Sequence, residues 1–555
     1  MTQFPKNKLA QLVIASCIAN GIEQVVISPG SRNAPLTIGF SNHLEIKTYS
    51  IVDERSAAFF ALGMAQQLQK PVAIVCTSGS ALLNYYPAIA EAFYSNIPLV
   101  VISADRPAHL IDIGDGQTIR QENVFENHIL NSISLVEHLN VENSIAEMLQ
   151  ETIEIAMVEK GPVHINVPFD EPLYETTSEL ITLDKVDSTV EEIPLDVDEL
   201  QKFADVWNSS TKKMVLVGAC IPDELLQTQL AHFTKDPSVL VLIENTANVS
   251  HAKFINSIDK LIFPLESNEL EAFQPDILLS LGGMIVSKKI KQHLRKIQPK
   301  LHWHIDSKRA FDTFHCLKHH FEISPQLFFS QFFFLTKPVA SNYQQFWLQK
   351  KELRLKKHDK FIEDCEFSDL KTVAILLKSI PNNSLLQVSN SAVIRYTQLF
   401  DLNKTLQVFC NRGTSGIDGS TSTAIGAAVV LEKNTVFITG DISFFYDNNA
   451  LWNSYIPNAF RIIVVNNGGG GIFRFIPGPQ KSNALDYFET PHNLTAEHLC
   501  KMHKFEYSSV SNITNLESKL SKFYNTSNAP KLLEIFTPRE INDTVLKAYF
   551  NNLKE

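Results

Sequence analysis

Two short oxygen-bearing side chains stand at the ends of two apolar runs. Thr435-Val436-Phe437-Ile438-Thr439 leads into Gly440-Asp441-Ile442-Ser443, and Ile462-Ile463-Val464-Val465 leads into Asn466-Asn467-Gly468-Gly469. Asp441 and Asn467 are 467 − 441 = 26 positions apart. Delivered from two strand ends, a carboxylate and a carboxamide oxygen can share one hard divalent cation, with a backbone carbonyl and diphosphate oxygens as further ligands. The spacing points to a metal-held diphosphate; the competing reading is two ordinary strand-to-helix turns. Gly114-Asp115-Gly116 looks like a closer Gly-Asp-Gly match, but it follows His109-Leu110-Ile111-Asp112-Ile113, a poor strand. No Asn pair follows it at the matching distance, where Leu139-Asn140-Val141-Glu142 stand.

Charged side chains recur at other strand ends. Ser31 and Arg32 lie in Ser28-Pro29-Gly30-Ser31-Arg32-Asn33, just before a helix start whose N–H groups and dipole favour an anion. Arg106 follows Ser103-Ala104-Asp105, Arg395 follows Ser389-Asn390-Ser391, and Arg412 follows Cys410-Asn411. One such arginine reads as a surface ion pair. Four at strand ends or just beyond read as a pocket for several carboxylates, which the planar guanidinium fork suits. Glu54 closes Tyr49-Ser50-Ile51-Val52-Asp53-Glu54 and opens a helix of small residues, Arg55 to Ala65. A carboxyl buried behind Ile51 and Val52 has its charged form disfavoured, which suits a proton relay. The alternative is an acid that interacts with the helix dipole.

These residues need rigid strands to deliver them, and the chain supplies three sets. Short β-branched runs alternate with longer amphipathic stretches, the pattern of doubly wound α/β domains with mainly parallel sheets. The first set is 25–27, 48–52, 72–76, 99–103 and 163–167; the second is 214–217, 239–243, 277–281 and 301–305; the third is 385–388, 406–409, 435–439, 462–465 and 532–536. The expected organisation is an α/β domain at 1–175, an acidic linker at 176–198, a middle α/β domain at 199–335, a basic helical linker at 336–365 and a third α/β domain at 366–555. Every candidate residue falls at a strand's carboxyl end, where open α/β sheets bind ligands.

Composition narrows the class. The 555 residues are 44% hydrophobic and 20% charged, as expected of a globular chain. A net charge of −11 argues against nucleic acid or an anionic membrane as partner. The basic stretch Lys350 to Lys357 reads as a solvated helix face. Seven scattered cysteines without a C-x-x-C pair fit a reducing compartment, so a cytoplasmic location is expected. The apolar segment Leu9 to Ala19 is too short to span a bilayer.

The segments SPGSRNAPL, DERSAAFFALGMA, TSGSALLNYYPAIAEA, SADRP, GDGQTIRQ, NRGTSGIDGSTSTAIG, GDISFFYDNNAL and VVNNGGGGIF together resemble the 2-succinyl-5-enolpyruvyl-6-hydroxy-3-cyclohexene-1-carboxylate synthases of menaquinone biosynthesis. The resemblance is densest in 25–125 and 387–475 and weak in the middle part. It implies a thiamine-diphosphate-binding fold and a thiamine-diphosphate-dependent reaction. In that reaction 2-oxoglutarate loses carbon dioxide and its succinyl carbanion adds to isochorismate in a conjugate (1,4) fashion. Carried over by motif, Glu54 is the cofactor-activating acid, and Asp441, Asn467 and the Gly469 carbonyl hold Mg2+, with Mn2+ possible. Ser389, Gly440, Ser443, Ile472 and Phe473 are expected around the cofactor. Ser31, Arg32, Arg106, Gln117, Ser391, Arg395 and Arg412 are expected around the substrates. Lys288 and Lys289 match a basic pair presented by the middle domain; the family often has Lys-Arg there, so Lys289 lacks the bidentate fork. The resemblance also implies a homodimer or homotetramer with the active site between subunits. The alternatives are another thiamine-diphosphate decarboxylase or carboligase, and a non-catalytic binding relative.

Overall fold

The β-branched runs become three parallel sheets in the computed structural model, which describes residues 3–136, 142–186, 191–475 and 478–554. The first sheet contains β1 (Gln24–Ile27), β2 (Lys47–Ser50), β3 (Val72–Cys76), β4 (Leu99–Asp105), β5 (Asn131–Ser134) and β6 (Pro162–Pro168), in the order β2–β1–β3–β4–β6–β5. The middle sheet contains β7 (Lys213–Val217), β8 (Val239–Ile243), β9 (Ile277–Leu281), β10 (Leu301–Ile305) and β11 (Leu317–Phe321), in the order β8–β7–β9–β10–β11. The third contains β12 (Leu385–Val388), β13 (Gln407–Phe409), β14 (Thr435–Gly440), β15 (Arg461–Asn466), β16 (Glu506–Val510) and β17 (Lys531–Phe536), in the order β13–β12–β14–β15–β17–β16. Every neighbouring pair in these sheets is parallel. Helices cover both faces, so central strands such as β3, Val72 to Cys76, are buried throughout.

The strands absent from the sequence reading are β5, β11 and β16, and each lies at a sheet edge. Their sequences, NSIS, LKHHF and EYSSV, carry polar residues because an edge strand has a neighbour on one side only. The stretch expected as an acidic linker opens with Thr176–Thr177, which pairs antiparallel with Phe4–Pro5. Its residues 187–190 lie outside the described residues. The basic stretch is part of the helix Tyr343–Asp364, but Arg354 within it is buried and donates to the Leu553 carbonyl. The face is therefore only partly solvated.

The helices that position the site are α1 (Glu54–Leu68), α2 (Lys288–Lys296), α3 (Ala392–Thr397), α4 (Ser420–Val430) and α5 (Asp441–Tyr446). Helix α1 of the first part packs on α4 of the third at backbone distance. A Cβ on Gly63 would stand 2.0 Å from the Thr423 carbonyl oxygen, and one on Gly426 would stand 1.9 Å from that of Phe60. Only glycine permits that approach. Among the described residues no helix is long and apolar enough to cross a membrane.

Candidate functional site

β14 and β15 are neighbours, with Gly440 opposite Val465, so Asp441 and Asn467 leave the sheet at the same edge. Both are buried. The Asp441 carboxylate accepts from the Ile442 N–H at 2.7 Å through Oδ1 and from the Gly469 N–H at 3.0 Å through Oδ2. His492 Nε2 lies 3.3 Å from the same Oδ2, without hydrogen-bond alignment. Asn467 donates its Nδ2–H to Asp369 Oδ2 at 2.8 Å. That bond turns Oδ1 away, and Oδ1 is buried with no partner. An orphaned buried acceptor costs about 1–3 kcal/mol. Beside a carboxylate and the Gly469 carbonyl, such an oxygen fits a hard cation. Gly469 has φ +155°, and a Cβ there would stand 2.6 Å from the Glu489 carbonyl oxygen. This backbone excludes any side chain.

Partners from outside the motif hold this edge. Asp369 is buried and also accepts from Thr537 Oγ1 at 2.6 Å. Burial pushes its carboxyl up to about 6, against the opposing bonds from Thr537 and Asn467, while the Asp441 charge adds to the rise. Glu489 accepts from Arg474 Nε at 2.6 Å and Arg539 Nε at 2.8 Å, and its carbonyl accepts from the Gly470 N–H at 2.6 Å. Ile472 and Phe473 lie in the turn Gly471–Arg474, with the Phe473 ring 5.3 Å from that of Phe488. Ser389 is fully buried and its Oγ accepts from the Gly440 N–H at 3.4 Å, while Ser443 Oγ donates to the Ile417 carbonyl at 2.8 Å.

Glu54 opens α1, directly after its cap. Asp53 takes the capping role, accepting from the Ser56 N–H at 3.0 Å, so the Glu54 carboxyl has no part in the cap. Glu54 is half-buried near Cys76 and Tyr85, whose titrations it influences. Burial raises its carboxyl above the ordinary value, opposed by its own N–H and assisted by the Asp53 charge.

The expected substrate residues fall into two groups. Ser31, Arg32, Arg106 and Gln117 belong to the first sheet's strand ends. Arg32 is buried, donating to the Phe169 carbonyl at 2.8 Å and pairing with Glu171 at 3.4 Å. Arg106 donates to the Gly116 carbonyl at 3.3 Å. Gln117 is exposed with φ +55°; it is Gln121 that is built into the strand ends, accepting from the Gly79 N–H at 2.8 Å and donating to Asn166 Oδ1 at 2.8 Å.

The second group joins the third sheet to the middle one. Arg412 donates to Asn390 Oδ1 at 2.7 Å, and Asn390 Nδ2 ties the Asn411 and Gly416 carbonyls at 2.6 and 2.7 Å. Arg395 donates to the carbonyl of Ser391, whose φ of +71° is a strained conformation for a residue with a side chain. Burial and then the Arg412 charge pull Arg395 below the usual guanidinium value, with Asp259 opposing. Lys288 and Lys289 are exposed at the start of α2, with Lys289 Nζ 4.4 Å from the Phe263 ring centre. No hydrogen bond or ion pair among the described residues joins the two groups. Arg106 Nε lies 3.7 Å from Asp115 Oδ2, whereas Arg32 and Arg412 each keep a buried Nε–H without a hydrogen-bond partner. These are donors available to an acid.

Asp369, His492, Glu489 and Asn390 were not legible as site residues. Each acts on a residue far away in sequence or through a backbone group, and Asp369 is 98 positions from Asn467.

Family models match both ends of the chain: the thiamine pyrophosphate enzyme N-terminal TPP binding domain over residues 7–133 and the C-terminal TPP binding domain over residues 390–535. A 2-succinyl-5-enolpyruvyl-6-hydroxy-3-cyclohexene-1-carboxylate synthase of Flavobacterium psychrophilum is 54% identical over 99% of this chain and all of its own length. Its counterpart in Flavobacterium johnsoniae is 53% identical over 99% of this chain and its full length. That of Porphyromonas gingivalis is 39% identical over 96% of this chain and 94% of its own.

Proposed function

The chain belongs to the 2-succinyl-5-enolpyruvyl-6-hydroxy-3-cyclohexene-1-carboxylate synthase family, and from that premise we propose how its residues divide the work. The reaction is the thiamine-diphosphate-dependent decarboxylation of 2-oxoglutarate with conjugate (1,4) addition of the succinyl unit to isochorismate, in menaquinone biosynthesis. When bound, thiamine diphosphate supplies an electron sink for the bond that releases carbon dioxide.

Asp441, Asn467 and the Gly469 carbonyl hold the divalent cation, Mg2+ or alternatively Mn2+, and through it the diphosphate. The observation that carries this assignment is the Asn467 Oδ1, buried and unpartnered at the end of the strand next to the one that leads into Asp441. Ser389, Gly440, Ser443, Ile472 and Phe473 wall the cofactor. Glu54 holds a proton at the aminopyrimidine ring nitrogen, and its burial-raised carboxyl supports that role. Arg395, Arg412, Ser391, Lys288 and Lys289 bind substrate carboxylates from one side, and Ser31, Arg32, Arg106 and Gln117 from the other. The donor and acceptor are both dicarboxylates, which matches the unpartnered guanidinium donors.

The two groups meet across a subunit interface, with Glu54 from one subunit and the metal ligands from another, in a homodimer or homotetramer. Carbon dioxide release from 2-oxoglutarate, measured with Mg2+ and thiamine diphosphate, tests the function. Release that depends on isochorismate and consumes it is expected. Release that ignores isochorismate would move the chain to a decarboxylase.

A further inference from the structure

Two carboxylates behind the cationic pocket, Glu244 buried and Asp259 half-buried, take no part in the roles assigned so far. Glu244 follows β8 and is 2% exposed. Its two oxygens accept from consecutive backbone N–H groups, Val286 and Ser287, both at 2.7 Å. Asp259 accepts from the Ser287 hydroxyl. That hydroxyl in turn accepts from the Ile290 N–H at 3.1 Å and so caps α2, the helix that begins with Lys288 and Lys289. Arg395 and Gln398 of the third part line the same small crevice as Glu244, Asp259 and Ser287. Gln398 Oε1 accepts from the Asn245 N–H at 2.9 Å, which ties the residue after Glu244 to the far side of α3.

We infer that Glu244 and Asp259 form an acidic brace that fixes the 286–287 backbone and aligns Lys288 and Lys289 with Arg395 and Arg412 as one surface for substrate carboxylates. The inference rests on the substrate roles proposed above for those four residues. Glu244 is a positioning residue: it reaches the acid only through the loop it holds. The charges agree with the geometry. Burial pushes Glu244 up to about 7, opposed by the Val286 and Ser287 N–H groups and by Arg412, while Asp259 adds to the rise. Burial likewise raises Asp259, and Ser287, Lys289, Arg395 and Lys291 oppose it. The buried Glu244 and half-buried Asp259 stay compatible with their surroundings because fixed N–H groups and nearby cations compensate them. A carboxylate is required at 244, because a carboxamide offers one acceptor oxygen and would turn its own N–H2 toward the second backbone N–H.

Steady-state kinetics on Glu244→Gln and Ser287→Ala tests the brace, with thiamine diphosphate affinity measured in parallel by calorimetry. Glu244→Gln should raise KM for at least one of the two acids by about tenfold or more, with a smaller change in kcat and unchanged cofactor affinity. Ser287→Ala, which removes only a hydroxyl, should move KM the same way by less. Unchanged KM values in both variants would overturn the brace, as would a loss of cofactor affinity matching the KM change. A Lys288→Ala/Lys289→Ala variant separates the two levels. If it keeps both KM values, the substrate role of the basic pair falls and the inference falls with it. If it raises KM while Glu244→Gln and Ser287→Ala do not, the brace alone falls.

Discussion

The first and third sheets have the same relative strand order but carry different side chains after corresponding strands. In both, the chain runs from the first strand to an outer neighbour and then returns across it, which opens a crevice at the carboxyl edge. After the fourth strand the first sheet carries Asp105-Arg106 and the third carries Asn466-Asn467. After the third strand the first sheet carries Thr77-Ser78-Gly79, and the third carries Asp441. At the first sheet's ends Asn166 donates to Asp105 at 2.8 Å, Gln121 to Asn166, and Arg32 to Phe169, while Thr77 Oγ1, Ser78 Oγ and Asn33 Oδ1 are buried without a hydrogen-bond partner. The third leaves Asn467 Oδ1 open. One scaffold thus serves two purposes, and the residues after each strand decide which. Both offer guanidinium donors, Arg32 and Arg106 on the first and Arg395 and Arg412 on the third, but the first adds the acid Glu54 and the third a set of oxygen ligands.

If the division holds, variants on the two sheets should fail differently. The largest effect is expected at Glu54: Glu54→Gln should lower turnover by about 10²–10⁴-fold while diphosphate and metal binding persist. Near-normal turnover would remove Glu54 from the chemistry. Next is Asp369→Leu, which frees the Asn467 amide to rotate. Calorimetry in the presence of thiamine diphosphate should show Mg2+ affinity weakened by about 10–100-fold, as for other partners that orient a ligand. Unchanged affinity would mean that Asn467 is oriented by its surroundings alone. The smallest effect is at Asp53, the α1 cap, which also accepts from Asn449 at 2.7 Å. Asp53→Ala should cost about 1 kcal/mol in urea unfolding, and with its charge gone the Glu54 carboxyl should fall toward its ordinary value.

The same contrast explains what the sequence made legible. Central strands such as β3, β14 and β15 are buried almost throughout and read as apolar runs, so the ends of β14 and β15 located Asp441 and Asn467 within a residue or so. The edge strands β5, β11 and β16 escaped because polar residues interrupt them, as LKHHF shows. Glu54 stood out through the small-residue helix behind it, whose Gly63 meets the Thr423 carbonyl. Asp369, His492 and Glu244 did not stand out. Each is a polar residue whose partner lies far along the chain, and tertiary pairing leaves no periodic trace in sequence. Arg354 was misread for the converse reason: a basic helix face looks solvated until the chain's last helix is packed against it.

Calorimetric titration of the Asp441→Ala variant with thiamine diphosphate, with and without Mg2+, tests the division between the sheets most directly. The account predicts that the Mg2+-dependent part of the binding disappears, while Glu54→Gln, titrated alongside, binds as the unaltered chain does. Mg2+-dependent binding of undiminished strength in Asp441→Ala would contradict it.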